Sequence, residues 1–323
     1  MKRDPYLSIV VVGRNDDYGI GFLERFQIFS DNQFFLWNRF GLEAELVVVE
    51  WNPPAGKPYI NDVMRWPKTF KTGSIRIIRV PPEVHRKLPN SERQQFFEYI
   101  GKNVGVRRAR GQYVLCSNPD LLYSEELVRF FASHSLHENE FYRVDRCDMP
   151  QRSISPGVSP DEQLRIADKS YRYIHNNYGA MFIRGENLLG PRNMRRVLTY
   201  LKNKIEFSPF PPPYMNAAGD FFLMQRDKWH FFGGYPELDH YAYPDALVFM
   251  ALSSGLRQVA LKYPLVIYHQ DHERGGADTG RPLSDFERNR AFYVAMLKKR
   301  KPWLPNRRNW GFGDIKLPEV RIC

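Results

Sequence analysis

The chain has 323 residues, 43% hydrophobic and 15% aromatic, with a formal net charge of +11. This composition excludes a collagenous or low-complexity chain and suits a folded globular protein. The longest apolar runs, such as Leu7–Val12 and Leu46–Val49, have strand length and fall far short of the roughly 20 residues of a membrane span. Cys116, Cys147 and Cys323 lack the paired spacing of a disulfide framework or a zinc knuckle. Lys2, Arg3, Asp4 and Pro5 lead straight into a strand pattern with no apolar signal core, so a cytoplasmic location is the expectation. The positive charge calls for an acidic partner, but nucleic acid, anionic lipid, acidic glycan and nucleotide diphosphate all satisfy it.

Leu7–Val12 (LSIVVV) is a continuous apolar run closed by Gly13, the pattern of a strand buried on both faces. A helix follows over about 21–40, its stripe set by Phe22, Phe26, Phe29 and Leu36, with Gly41 as C-cap. Ala44–Val49 reads as a second buried strand, closed by Glu50 and the breaker Asn52-Pro53-Pro54. Ser74–Val80 is a third, stopped by Pro81-Pro82. Asn90 or Ser91 caps a predicted helix over about 92–110, Gly111 ends it, and Gln112–Ser117 is a fourth strand. Ser124 caps another helix, with Glu125 and Glu126 in its first turn where carboxylates suit the dipole. Repeated β-α units with short links predict a three-layer α/β fold with a mainly parallel sheet.

The second half is less regular. A loop rich in Ser and Pro spans 152–160, and Phe207–Tyr214 is a stiff proline-rich connector. Phe221–Met224 reads as a strand, Asp245–Leu252 as a helix and Leu261–Tyr268 as a further strand. After Gly275-Gly276, a helix over 283–299 and a basic tail with Trp303 and Trp310 close the sequence.

Ligands of an open parallel sheet bind at the carboxyl ends of its strands. Four predicted ends are polar: Gly13-Arg14-Asn15-Asp16-Asp17, Glu50-Trp51-Asn52, Asn118-Pro119-Asp120 and His269-Gln270-Asp271-His272. One such end is ordinarily a turn or a cap; four on one predicted edge point to a ligand. Asn103, Arg107 and Arg110 are spaced i, i+4, i+7, which sets them on one helical face opposite the apolar stripe, just ahead of the strand that ends in Asp120.

The stretch KNVGVRRARGQYVLCSNPD resembles the GT-A enzymes of glycosyltransferase family 2, in which such a helix feeds a strand closed by Asp-x-Asp. LSIVVVGRND is similar to the family's opening strand and nucleotide loop, and LVVVEWN to its second strand with a base-contacting acid. FFLMQRDKWHFFGGYPE resembles the acceptor-side segment, YPDALVFMALSSG the following Glu-Asp helix, and YHQDHERGG the late histidine region. The resemblance runs in order over residues 6–275.

It implies a GT-A fold, a three-layer α/β/α arrangement over 1–275, with a nucleotide-binding half (1–122) and an acceptor-binding half (123–275). A C-terminal helix and basic tail occupy 276–323. The implied activity is transfer of a sugar from a nucleotide-diphosphate sugar, UDP- or GDP-linked, to a glycan or other hydroxyl acceptor, inverting by direct displacement. Gly13, Arg14, Asn15, Asp16, Glu50, Asn103, Arg107 and Asn118 would face the donor, with Lys102 a further phosphate contact. Asp120, His269 and His272 would hold Mn2+ or Mg2+. Asp245 would be the base, with Asp220 and Glu237 as further candidates, and Asp220, Gly234 and Glu237 would lie on the acceptor side.

Two departures stand out. The Asp-x-Asp position reads Asn118-Pro119-Asp120, one carboxylate short, and Pro244 replaces the Glu of the Glu-Asp pair. Asp145 and Asp148 form another acidic pair, read as structural or acceptor-side. A nucleotidyltransferase would carry a Gly-rich basic loop after the first strand, where this chain has one glycine and two acids. A nucleic-acid binder would concentrate its basic and aromatic residues in one module, whereas here they are dispersed, so no dedicated nucleic-acid site is expected. The basic tail suits a peripheral contact with anionic membrane.

Overall fold

The computed structural model describes residues 4–322 apart from 18, 68–69, 71, 178, 183–189, 217, 238–243 and 274–284. The first half alternates strand and helix: β1 (Leu7–Gly13), α1 (Phe22–Phe40), β2 (Ala44–Trp51), α2 (Ile60–Val63), β3 (Gly73–Val80), α3 (Pro82–His85), α4 (Glu98–Arg108), β4 (Tyr113–Ser117), β5 (Leu121–Tyr123) and α5 (Glu125–Ala132). Then come β6 (Glu140–Met149), α6 (Pro160–Ser170), β7 (Tyr173–Asn176), β8 (Gly179–Phe182), α7 (Pro191–Glu206), β9 (Phe221–Gln225), α8 (Arg226–Phe232) and α9 (Pro244–Ser253). The last elements are β10 (Arg257–Gln270), α10 (Asp285–Lys299), a 3-10 turn (Trp310–Phe312) and β11 (Glu319–Arg321).

The strands form one sheet in the order β11-β3-β2-β1-β4-β9-β6-β10-β5, with the β7-β8 hairpin beside β6. β3, β2, β1 and β4 pair in parallel. Antiparallel β9 then links β4 to β6, which restores the original direction, and β10 pairs with β6 in parallel. The main strands therefore run one way, as expected, with β11, β9 and β5 reversed.

Strand alternation explains the layers. Ile9, Val11, Leu46 and Val48 point into the cluster shared with Phe22, Phe26, Phe29 and Leu36 of α1, so the predicted stripe is the buried one. Val10, Val12, Val47 and Val49 point the other way, into a core with Val104 of α4 and residues 246–252 of α9. Each such side chain contributes roughly 1.5–3 kcal/mol when fully buried.

Two boundaries differ from expectation. The fourth helix begins at Glu98, not near 92: Asn90 sits at φ 56° and opens a turn in which the Arg93 and Gln94 amides donate to its carbonyl, and Gln95 then accepts from the Asn52 amide. The C-terminal tail adds β11 to the sheet edge, antiparallel to β3.

Candidate active site

The carboxyl edge of the sheet gathers all four polar strand ends. Register sets Gly13 beside Glu50. β4 ends at Ser117 on the same edge, with Asn118 next. Because β9 runs the other way with Phe221 opposite Ser117, the preceding Asp220 falls there too. β10 places His269 opposite Asp148 on one side and opposite Leu121, the neighbour of Asp120, on the other. Backbone register thus seats His269 between two carboxylates.

Asp120 Oδ2 lies 3.3 Å from His272 Nε2 and 3.7 Å from His269 Nε2. One ligand atom from each of Asp120, His269 and His272 lies within 4.8 Å of the others. His272 Nδ1 is 2.9 Å from the Glu273 carbonyl, a partner of the kind that fixes the tautomer and orientation of a metal-binding histidine. His269 Nδ1 makes no hydrogen bond and lies 3.5 Å from Asp148 Oδ1. Asp120 Oδ1 is buried without a hydrogen bond. One carboxylate with two imidazoles suits Mn2+ better than Mg2+, which prefers an all-oxygen shell. These residues fit a divalent ion.

The charges there are strongly coupled. Burial alone would raise the Asp120 pKa, but the adjacent imidazoles of His269 and His272 hold it well below the usual carboxylate range. Burial alone would lower that of His269, yet Asp120 and Asp148 lift it to about 10. Asp148 accepts from His175 at 2.9 Å and pairs with Arg146 Nε at 2.8 Å, and Arg146 also pairs with Asp220. The sequence reading missed Arg146 and His175. The available signal was alternation: Arg146 and Asp148, two apart on β6, share a face at the strand's end.

Lys102 and Asn118 take a different role from the one expected. Lys102 is wholly buried, and its ammonium donates to Glu98 Oε1 (2.5 Å), Asn118 Oδ1 (2.7 Å) and the Gly219 carbonyl (2.5 Å). Asn118 Nδ2 in turn donates to Asp220 Oδ1 at 2.8 Å. Both side chains are thus engaged within the protein. The link explains the missing carboxylate: an amide presents oxygen to Lys102 and N–H to Asp220, whereas Asp at 118 would set two carboxylates against each other.

Several other residues expected at the donor also have partners within the protein. Glu50 is fully buried; it accepts from the Ile60 amide (2.7 Å) and from Arg79 (2.9 Å), and so anchors the loop after β2. Asn103 is fully buried; its amide bonds the Tyr235 backbone on both sides and donates to Glu237 at 2.9 Å. Gly234 sits at φ 78°, where a Cβ would collide with Asn103. Arg107 donates to the carbonyls of Arg308 and Trp310. Glu237 accepts from the Gly311 amide at 2.8 Å, and its carboxyl is raised by burial against those two hydrogen bonds. Together these residues clamp the C-terminal segment and stand apart from the Asp120 cluster in their bonding.

After β1, Arg14 donates to the Asn52 carbonyl (2.8 Å) and pairs with Asp16 (2.5 Å), while Asn15 donates to the Pro58 carbonyl (2.9 Å). Gly13, Arg14, Asn15 and Asp16 thus form one wall with the loop after β2. Asp245 lies in the first turn of α9, and its charge acts on Tyr99 and Arg143, two groups that also feel Asp220. A cavity of about 660 Å3 opens beside His272, lined by Gly19, Ile20 and Arg25 from one side and by Met149, Arg152 and Asp271 from the other.

No protein-family model matches the chain, and no curated protein matches it. Among solved structures, S. aureus TarS is similar with 14% identity and a TM-score of 0.43, over 82% of this chain and 36% of that one. A 1–349 form of S. aureus TarS in complex with UDP-GlcNAc shows 12% identity and a TM-score of 0.44, over 90% and 66%. The catalytic domain of Drosophila β1,4-galactosyltransferase 7, in complex with xylobiose, shows 11% identity and a TM-score of 0.40, over 88% and 79%. The chain spans only 36% and 60% of the first two TarS chains it resembles. At these scores and identities the likeness carries no information on substrate or mechanism.

Proposed function

We propose that the chain is a glycosyltransferase that moves a sugar from a nucleotide-diphosphate sugar to an acceptor hydroxyl, with inversion, using a divalent ion at Asp120, His269 and His272. The observation that carries this reading is the convergence of those three residues, with one possible ligand atom of each within 4.8 Å of the others, at the carboxyl edge of a mainly parallel sheet.

Lys102 is committed to Glu98, Asn118 and the Gly219 carbonyl, and Arg146 to Asp148 and Asp220, so both leave leaving-group charge to other groups. A divalent ion bound at Asp120 would supply Lewis-acid neutralisation of the departing diphosphate. Asp245 would take the proton of the acceptor hydroxyl as its oxygen bonds to the anomeric carbon. The bond from that carbon to the diphosphate oxygen breaks, and its electron pair leaves with the nucleotide. Gly13, Arg14, Asn15 and Asp16 would form the wall that the nucleotide meets.

A panel of UDP-, GDP-, CMP- and dTDP-sugars, scored by thermal shift and by hydrolysis with and without Mn2+, tests the reading. At least one donor should stabilise the chain in a Mn2+-dependent way, and Asp120→Asn should weaken Mn2+ binding by calorimetry at least about tenfold. Asp245→Asn should abolish transfer while leaving donor binding intact. If no nucleotide sugar binds, the reading fails; if Asp245→Asn turns over, Asp245 is not the base.

A further inference from the structure

Helix α7 (PRNMRRVLTYLKNKIE) carries an apolar stripe that nothing among the described residues covers. Met194, Leu198, Leu201 and Ile205 are 45%, 61%, 47% and 79% exposed. Their spacing i, i+4, i+7, i+11 confines them to an arc of about 60° over roughly 16 Å of helix. The far side is the one that packs: Asn193 is buried, Tyr200 and Asn203 are half-buried, and the helix rests on β8. Arg290 of α10 ties down its last turn through Glu206 (2.8 Å) and Asn203 (2.9 Å).

Charge identifies the occupant. The helix has five basic residues, Arg192, Arg195, Arg196, Lys202 and Lys204, and one acid, Glu206, which Arg290 already pairs. Arg195 and Lys202 project along one margin of the stripe and Lys204 along the other. An apolar stripe with basic margins matches a surface that is apolar below and anionic above, as the headgroup boundary of an acidic bilayer is. A second copy of the chain fits less well, because a two-fold contact through the stripe would bring the same cations face to face.

We propose that α7 docks in the plane of an anionic membrane surface, with Met194, Leu198, Leu201 and Ile205 entering the headgroup–acyl boundary and its flanking cations meeting acidic lipid.

Sedimentation of the full chain with phosphatidylcholine vesicles, with and without phosphatidylserine, tests it. Binding is expected only with phosphatidylserine, and it should weaken as salt rises. The double variant Leu198→Glu, Ile205→Glu should bind at least about tenfold more weakly, and Arg195→Gln or Lys202→Gln about fivefold more weakly each. These positions are exposed, so circular dichroism and the melting temperature should not change. No binding to acidic vesicles overturns the proposal, as does undiminished binding by the double variant, which would assign the contact to other basic surfaces. A dimer in analytical ultracentrifugation that the double variant makes monomeric would give the stripe to a second copy and overturn it too.

Discussion

The Tyr214 hydroxyl has one hydrogen and three acceptors within reach: the Val144 carbonyl (3.0 Å), Asp145 Oδ1 (2.9 Å) and the His175 carbonyl (2.9 Å). A protonated Asp145 supplies the second donor that this crowd lacks. Burial raises its pKa from the ordinary 3.8 to about 6, against the opposing pull of Tyr214 and Lys262. A carboxyl raised in the folded state stabilises below its unfolded value and loses that contribution as pH rises through its folded value. Relative to Asp145→Asn, the parent should therefore lose about 2–3 kcal/mol of unfolding free energy between about pH 4 and pH 7, measured by urea denaturation. A pH-independent difference would show that Asp145 ionises normally. At this scale the sequence marks which residues carry charge but not their partners. Asp120, His269 and His272 were recognisable because strand ends gather at one edge. The pairing of Asn118 with Lys102 and Asp220 was not, because it joins residues 16 and 102 positions apart.

Helix α4 owes its place to absent side chains. It lies so close to the sheet that a Cβ on Gly101 would come within 2.7 Å of Val12 Cγ1, and one on Gly105 would collide with Val10 and press on Val49. Val10, Val12 and Val49 are buried and β-branched, so they have little room to yield. Alanine at 105 would favour the helix by about 1 kcal/mol, but overpacking costs roughly 1–3 kcal/mol. Gly105→Ala should therefore destabilise the protein by up to about 2 kcal/mol in chemical denaturation; a stabilised variant would mean the helix can shift outward. The buried strands were legible because runs such as LSIVVV admit one reading. The start of α4 was not: Asn90 and Ser91 look like caps, but contacts such as Asn52–Gln95 and His85–Ser91 hold them in a turn ahead of the helix.

Across the whole molecule, the C-terminal segment completes the structure. Arg108 donates to the carbonyls of Gly311 (2.7 Å), Phe312 (2.7 Å) and Ile315 (3.0 Å), and Arg107 stacks over Trp310 at 5.0 Å. Trp310 and Leu317 enter the core under α4, and Glu319 of β11 pairs with buried Arg76 at 2.9 and 3.0 Å. Truncation after Pro305 removes this apolar area and leaves Arg76 and Arg108 without those partners. Such a chain should melt at least about 5 °C lower by calorimetry; an unchanged melting temperature would show that the clamp contributes nothing.

The sequence by itself determined the layered α/β plan and the polar edge, because hydrophobic periodicity and strand-end residues are local properties. Only the tertiary structure decided how the conspicuous polar residues divide between ligand site and scaffold. Asn103, Arg107 and Glu237 look like site residues in one dimension, yet their partners lie at residues 235, 308–311 and 103. A hydrogen bond spanning two hundred residues leaves no trace in spacing, since it depends on where the folded backbone happens to bring its carbonyls.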